Sequence, residues 1–341
     1  MKTIHARNVN EAYTIGLNWL AKKHSRQESR VGTVMVADGP VTTTYTKPWE
    51  RVLFNSQRDA NPFFHLMEGL WMLAGRNDVE WIEQFITGFD KYSDDGKVFH
   101  GAYGYRWRHW FEMDQLEKVV AELKENPDSR RCYIQMWDAK SDLCQDGLDF
   151  PCNVGIAFRV RRGLLDITVF NRSNDAIWGA YGANAVHMSM LQEYMAAKIG
   201  VLVGNYHQVS NNFHAYVDTW IKIGGCPQPH PMDPYDIGEV HASFLVTDPK
   251  TWDSDLASFI EDPLNLLFYS NSFFPEVAVP MAHAHREWKR KKYILALRIC
   301  KDIGASDWRR ASHEWITRKA ESNATSNGEK RRLRQTVAHD T

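Results

Sequence analysis

No hydrophobic run in the 341-residue chain reaches the length of a membrane span, and no signal-peptide core follows the N-terminus. The expectation is a cytoplasmic protein, in a host's cytoplasm if the source is viral. Net charge is almost absent: 41 Lys and Arg against 42 Asp and Glu leave −1, so no global field draws the chain to nucleic acid or membrane. Neither is expected as a partner. Cysteine is sparse and scattered, at Cys132, Cys144, Cys152, Cys226 and Cys300, with no C-x-x-C. That argues against a zinc site or a disulfide framework, no metal is expected, and a reducing compartment is the natural setting. There is no internal repeat. No dinucleotide-type glycine loop is present either, so a flavin-dependent route is not indicated.

Aromatics are what the chain has in plenty, including 13 tryptophans, which can build a core or wall a pocket for flat ligands. The most informative stretch is Asp149-Phe-Pro-Cys-Asn153 together with Phe170 to Asn184. Pro151 fixes its own φ and keeps Phe150 extended, which places Cys152 at the start of a strand. Strands over 154–160 and 164–170, joined by a turn at Arg161-Arg-Gly163, would return Arg172 and Ser173 to the level of Cys152. A lone cysteine is ordinarily a small buried hydrophobe. A cysteine beside an arginine, a serine, an aspartate and an asparagine is also the parts list of a nucleotide-modifying enzyme.

In chain order, a helix is expected from Asn8 to about Lys23, then a polar link over 24–29, a strand over 30–36 and another over 41–45. Asn61 to Gly75 reads as a helix with Asn61 as cap and Pro62 in its first turn. It is apolar almost all round, so Glu68 in its middle is a buried carboxylate in need of a reason. A second helix is expected over 77–85, a third over 115–124, and a strand over 132–137. A long helix over 183–199, a strand over 201–207 and a helix start at 210–216 follow. Helices are expected over 256–270, 282–300 and 307–321. An irregular linker is expected over 226–231.

The chain resembles the thymidylate synthase family across most of residues 10–222. The resemblance rests on Ser29-Arg-Val-Gly-Thr33, His65-Leu-Met-Glu-Gly-Leu-Trp71, Ala102-Tyr-Gly-Tyr-Arg-Trp-Arg108, Asp128-Ser-Arg-Arg131, Pro151-Cys152, Arg172-Ser-x-Asp175 with Trp178-Gly179 and Asn184, and His214-Ala-Tyr216. It implies an α/β (α+β) three-layer fold with a bent mixed sheet, here with a helical C-terminal addition. Residues 1–240 would be the catalytic domain, 241–322 a helical part of the same domain, and 323–341 a disordered basic tail.

The resemblance also implies roles. Cys152 would be the nucleophile that adds to C6 of a pyrimidine deoxynucleotide, making C5 able to take a one-carbon unit from 5,10-methylenetetrahydrofolate. Arg30, Arg172 and Ser173 would hold phosphate, with Arg130 and Arg131 reaching in from the partner of a homodimer. Glu68 would handle protons at the base carbonyl and Tyr103 would assist proton removal from C5. Asn184 would read the pyrimidine edge, His214 and Tyr216 would hold the sugar, and Asp175 would lie near the base or the folate. Phe89 and Tyr92 stand where the synthases carry tryptophans that shield the transferred carbon and hold the reduced pterin.

Several positions depart from the synthases. They include Phe89-Asp-Lys-Tyr92, Asn153 for histidine, Asn171 for glutamine, Asn212 for aspartate, and a C-terminus unlike the apolar tail that closes over folate. A wetter pocket follows, which favours hydroxymethylation of dUMP over methylation. The segment from Gly179 to Asn184 is one residue longer than the family's and lacks its proline, so cytosine stays open as the base. Thymidylate synthase, deoxycytidylate hydroxymethyltransferase and a non-catalytic nucleotide-binding member are the alternatives.

Overall fold

The computed structural model describes residues 1–227, 232–266 and 268–323. The expected basic tail lies outside these residues apart from Asn323, as does most of the expected linker over 226–231. Among the described residues one sheet of eight strands organises the molecule: β1 (Lys2–Ala6), β2 (Ser25–Ser29), β3 (Gly32–Val36), β4 (Val41–Tyr45), β5 (Tyr133–Gln135), β6 (Asn153–Arg161), β7 (Leu164–Asp175) and β8 (Leu202–Tyr216). The order is β1-β4-β8-β7-β6-β5, and β3, itself paired with β2, adds to the far end of β8. The sheet is mixed, with β1–β4 and β7–β8 parallel and the remaining pairs antiparallel.

The main helices are α1 (Val9–Lys22), α2 (Pro62–Leu73), α3 (Gln115–Glu125), α4 (Asn184–Ile199), α5 (Trp252–Glu261), α6 (Val279–Lys289), α7 (Tyr293–Cys300) and α8 (Ser306–Asn323). No described helix is long and apolar enough to cross a membrane. The expected cap of α2 is present: Asn61 Oδ1 accepts from Phe64 N at 3.1 Å. The C-terminal helices pack back onto α2, where Phe63 meets His285 and Trp315 with ring centroids 5.2 and 5.6 Å apart.

Two features of the sheet place the site. The β6–β7 hairpin turns on Arg162 and Gly163, both at positive φ (51° and 75°), as a tight two-residue turn requires. The parallel β7–β8 pair needs a crossover, and α4 supplies it. The middle of β7 and of β8 alternates in burial: Ile167, Val169, Tyr206 and Gln208 are buried, while Thr168, Phe170, His207 and Val209 are half-buried on the other face.

The structure corrects several expectations. The link over 24–29 is strand β2, its polar side chains tolerated because it is an exposed outer strand. The helix expected from 210 is the second half of β8, held extended by pairing with β7 and β3. Strand β7 runs on to Asp175, five residues past its expected end at 170, so Arg172, Ser173 and Asp175 are strand residues. The 77–85 helix shrinks to Val79–Ile82. The 256–270 helix sits earlier, as α5, and 282–300 divides into α6 and α7 around Lys291 at φ 61°.

Candidate active site

Cys152 lies immediately before β6 and is half-buried. Its backbone is clamped to the neighbouring strand, with Arg172 N donating to Cys152 O at 2.9 Å. The Arg172 guanidinium donates to Pro151 O and Phe150 O, both at 3.0 Å, and stands 5.4 Å over the Trp137 ring. Arg30 reaches the same loop from the β2–β3 turn, donating to Gly147 O at 2.8 Å and Leu148 O at 3.3 Å. Two cations thus grip the carbonyls of the segment that carries the thiol. Burial raises the Cys152 pKa; the charge of Arg172 opposes it and Asp149 adds to it. The resting group is a thiol, with a guanidinium placed to favour the thiolate once formed.

Tyr103 touches this point from the other side, its hydroxyl accepting from Asn153 N at 3.4 Å. Burial, and then the nearby Cys152, push its pKa up, so it stays a neutral phenol. Gly104 next to it lies so close to α2 that an added Cβ would sit 2.0 Å from Met72 O. The loop before Cys152 is fixed by a buried ion pair. Arg106 donates to both carboxylate oxygens of Asp142 (3.0 and 2.9 Å), and His100 Nε2 lies 2.7 Å from Asp142 Oδ1.

Glu68 projects from α2 toward α4, its Oε2 3.3 Å from His187 Nε2 but without hydrogen-bond geometry, and that oxygen has no partner. His187 Nε2 is instead 3.2 Å from His65 O, an acceptor, so this nitrogen carries the proton. Burial lowers the His187 pKa to about 3 and raises that of Glu68 to about 8, making both neutral near pH 7. His187 and Asn184, three residues apart, share a face of α4. Glu68 is therefore a proton-bearing acid brought to the vicinity of Asn184. Between its ordinary value of 4.5 and about 8, the folded chain holds a proton the unfolded chain has released, so stability falls as pH rises through that window. Glu68→Gln is expected to be more stable than the native chain by about 2–4 kcal/mol at pH 8 and by little at pH 4. Urea midpoints that track each other across this range would contradict the neutral carboxyl.

At the C-terminal end of β7, Asp175 Oδ1 accepts from Ile177 N (2.7 Å) and Trp178 N (2.6 Å), capping the turn that leads to α4. Its Oδ2 is buried and unpaired. Asp175 pairs across the ladder with His214, and Ser173 with Asn212. His214 Nδ1 is 2.8 Å from Asn212 Oδ1, and its ring meets that of Tyr216 edge-on at 5.4 Å. Burial raises the Tyr216 pKa, as do Asp175 and Cys152, while Ser29 and Arg30 lower it, so this phenol lies among the same groups. Asn184 is bonded to Asn153 at 2.9 Å and Asn174 at 3.0 Å. Gly179 leaves room for the second contact: a Cβ there would stand 2.8 Å from Asn174 Oδ1.

The structure thus brings Arg30, Tyr103, Cys152, Arg172, Ser173, Asp175, His214 and Tyr216 to one end of the sheet, with Glu68 and Asn184 behind them. It does not bring Arg130 and Arg131 there. Phe158 N bonds Cys132 O, so the pair lies beyond that point of the ladder, about 25 Å from Cys152 at ~3.3 Å per strand residue. Arg131 is 82% exposed and bonded to Glu122. Arg130 lines an open hollow of about 430 Å³ with Arg159, Arg161 and Arg162. Phe89 is packed against Phe64 and Phe99 (centroids 5.3 and 5.0 Å), while Tyr92 is 52% exposed.

Some residues of the site carry no sequence signal strong enough to single them out. Arg58 is buried, donates to Ile177 O at 2.8 Å and stacks 4.1 Å over Trp178; burial lowers its pKa to about 10. His187 is hidden in an apolar helix. Asn174 and Gln208 are polar residues at inward positions of strands, and the alternation of β8, once its full length is known, does mark Gln208. Among the described residues no group of three or more His, Cys, Asp or Glu is placed to hold a metal ion.

A family model described as thymidylate synthase matches residues 25–225. A protein of Pseudomonas phage M6 named deoxyuridylate hydroxymethyltransferase is 47% identical over 94% of this chain and 95% of its own length. Proteins of the same name from Bacillus phage SP01 and Delftia phage PhiW-14 are 38% and 29% identical, over 53% and 50% of this chain. The chain spans half the length of each of these two.

Proposed function

Because the chain belongs to the thymidylate synthase family, we propose that it is a one-carbon transferase that converts dUMP to its 5-hydroxymethyl derivative. The observation that carries the reading is the half-buried Cys152 set between Arg172 and Tyr103, within a site whose buried acceptors Asn171 Oδ1 and Asp175 Oδ2 are unpaired. Buried acceptors without partners are what a donor-bearing ligand and its waters would satisfy.

Arg30, Arg172 and Ser173 bind the phosphate, the arginines exchanging loop carbonyls for a dianion that pairs with them more strongly. His214 and Tyr216 hold the sugar, and Asn184 meets the base edge. Cys152 Sγ, having lost its proton, adds to C6, and the electron pair moves to C5. C5 takes up the one-carbon unit, which 5,10-methylenetetrahydrofolate supplies at the oxidation level of formaldehyde. Glu68 donates a proton toward the base carbonyl as charge builds there. Tyr103 orients the water that removes the C5 proton; that electron pair forms the exocyclic C=C, and tetrahydrofolate departs with the electrons of its C–N bond. Water then adds to the exocyclic methylene as the thiolate departs, which regenerates Cys152 and leaves no carbon reduced. Asp175 Oδ2, a buried acceptor, and the part-exposed Trp178 and Tyr92 are the groups fitted to hold a pterin ring; Phe89 supports Tyr92 from behind.

A homodimer completes this reading. In the middle of the parallel β7–β8 pair, over 166–170 and 203–209, the second face carries side chains that are only half-buried, and parallel pairs are normally covered on both faces. A partner on that face would bring its own Arg130 and Arg131 toward the phosphate. Residues 1–240 then act as the catalytic domain, with 241–322 as a helical part of it, in a cytoplasmic enzyme.

Water rather than hydride as the trap is supported by the names of the phage relatives and by the exposure of Tyr92. With dUMP and methylenetetrahydrofolate, the nucleotide product is expected to gain CH2O in mass and no dihydrofolate is expected to form. A gain of CH2 with stoichiometric dihydrofolate would make the chain a synthase, and sedimentation at monomer mass would remove the shared arginines.

A further inference from the structure

The side-chain amides of Asn171, Asn153, Asn184, Asn174 and Gln208 form one continuous buried file. Asn171 Nδ2 donates to Asn153 Oδ1, and Asn153 Nδ2 donates to Asn184 Oδ1 at 2.9 Å. Asn184 Nδ2 donates to Asn174 Oδ1 at 3.0 Å. Asn174 Nδ2 donates to Gln208 Oε1 and, at 2.9 Å, to Ser210 Oγ. None of the five is more than 7% exposed. The reaction described above uses only Asn184.

The two ends of an amide are alike in shape but opposite in hydrogen-bond sense. In a file, every member must point the same way as its neighbour, or two N–H groups or two oxygens meet in a buried site. The sense is set at one end. Gln208 Nε2 lies 3.2 Å from Ala180 O, a backbone carbonyl that can only accept. Its other neighbour, Tyr206 OH at 3.0 Å, donates its own proton to Asn184 O at 3.4 Å and so accepts from Gln208. Gln208 must therefore turn its nitrogen to Ala180 and its oxygen to Asn174. The constraint passes link by link to Asn184, whose oxygen faces Asn153 and whose nitrogen faces Asn174. Each bond uses one of two donors or one of two lone pairs, so Asn184 keeps one N–H and one lone pair for a ligand.

The geometry points to this file as the base selector: it holds Asn184 in a single flip, and a single flip can match only one of uracil and cytosine, here uracil. The inference rests on the nucleotide reading above. Uracil offers a donor at N3 and an acceptor at O4; cytosine offers an acceptor at N3 and a donor at N4, the reverse order. A free asparagine serves either by turning over. Here that turn would set Asn184 Nδ2 against Asn153 Nδ2 and Asn184 Oδ1 against Asn174 Oδ1. Reversing all five amides together would set Gln208 Oε1 against Ala180 O. Gln208 is thus a positioning residue that acts on base choice through two other side chains.

The test is calorimetric binding of dUMP and dCMP to the full chain without folate. The native protein is expected to favour dUMP by about a hundredfold or more. Gln208→Met keeps the shape and removes the anchor, so the dUMP:dCMP affinity ratio is expected to fall about tenfold, with dCMP binding tighter in absolute terms. A role in packing alone would weaken both nucleotides equally. Asn153→Asp reaches the same result independently, because a carboxylate only accepts and draws Asn184 Nδ2 toward itself; it carries the test if Gln208→Met does not fold. Native binding to dUMP with an unchanged ratio in the folded variants overturns the selector and leaves the nucleotide reading standing. A native chain that binds neither nucleotide, or prefers dCMP, overturns both.

Discussion

Cys152→Ala is expected to lower tritium release from C5 of dUMP by about four orders of magnitude or more, as removal of an attacking nucleophile does elsewhere. The size follows from the chemistry. Without a covalent bond at C6, C5 has no electron pair to offer, so neither bond formation nor proton loss at C5 begins. The fold should not suffer, since Cys152 is half-buried and the local backbone is held by Arg172 N and by the grip of Arg30 and Arg172 on the carbonyls of Gly147, Leu148, Phe150 and Pro151. Affinity for dUMP should change by less than about tenfold, because phosphate, sugar and base contacts remain. Tritium release within a few-fold of the native rate would take Cys152 out of the mechanism. Loss of release together with loss of dUMP binding would point to collapse of the loop instead.

Asp142→Ala is expected to cost about 3–5 kcal/mol of stability, the range for breaking a buried pair from one side. Both side chains of the Arg106–Asp142 pair are fully buried. Removing the carboxylate leaves Arg106 with His100 O, Met136 O and the Trp110 ring 3.7 Å away, but with no counter-charge. Asp142 also accepts from Asp138 N and meets His100, so one substitution frees three partners. Replacing both members, as Arg106→Met with Asp142→Leu, should recover most of the loss, since the cost lies in the orphaned charge. Urea melts decide it: a loss under about 1 kcal/mol for the single variant would mean that solvent reaches Arg106.

How much of this was legible in sequence varies by element. Helix α2 was clear, because its cap, its proline and its apolar circumference agree and the core it enters asks for nothing else. Cys152 and Arg172 were legible because proline and a hairpin turn fix local geometry that survives packing. The sequence pattern cuts strand β8 short, because its second half reads as a helix start. Its polar run, Ser210-Asn-Asn, looks like a cap, but the run is inward-facing on alternate residues, and only pairing with β7 reveals it. For the same reason Asn174 and Gln208 were invisible: a buried polar residue declares itself only when its partners, which are far away in the chain, are known. Arg130 and Arg131 were legible as a pair, but their distance from Cys152 within one chain is a property of the hairpin's length.

Helix α4 has a further consequence. It is the connection that lets β7 and β8 run side by side, and it carries Asn184 and His187. The two strands cannot pair until this segment has been gathered between them, which adds a loop-closure cost to their pairing. Affinity for nucleotide is therefore expected only once both strands and the helix have closed together. A bound nucleotide should, in turn, slow deuterium uptake along β7 and β8 together, rather than only at the residues it touches.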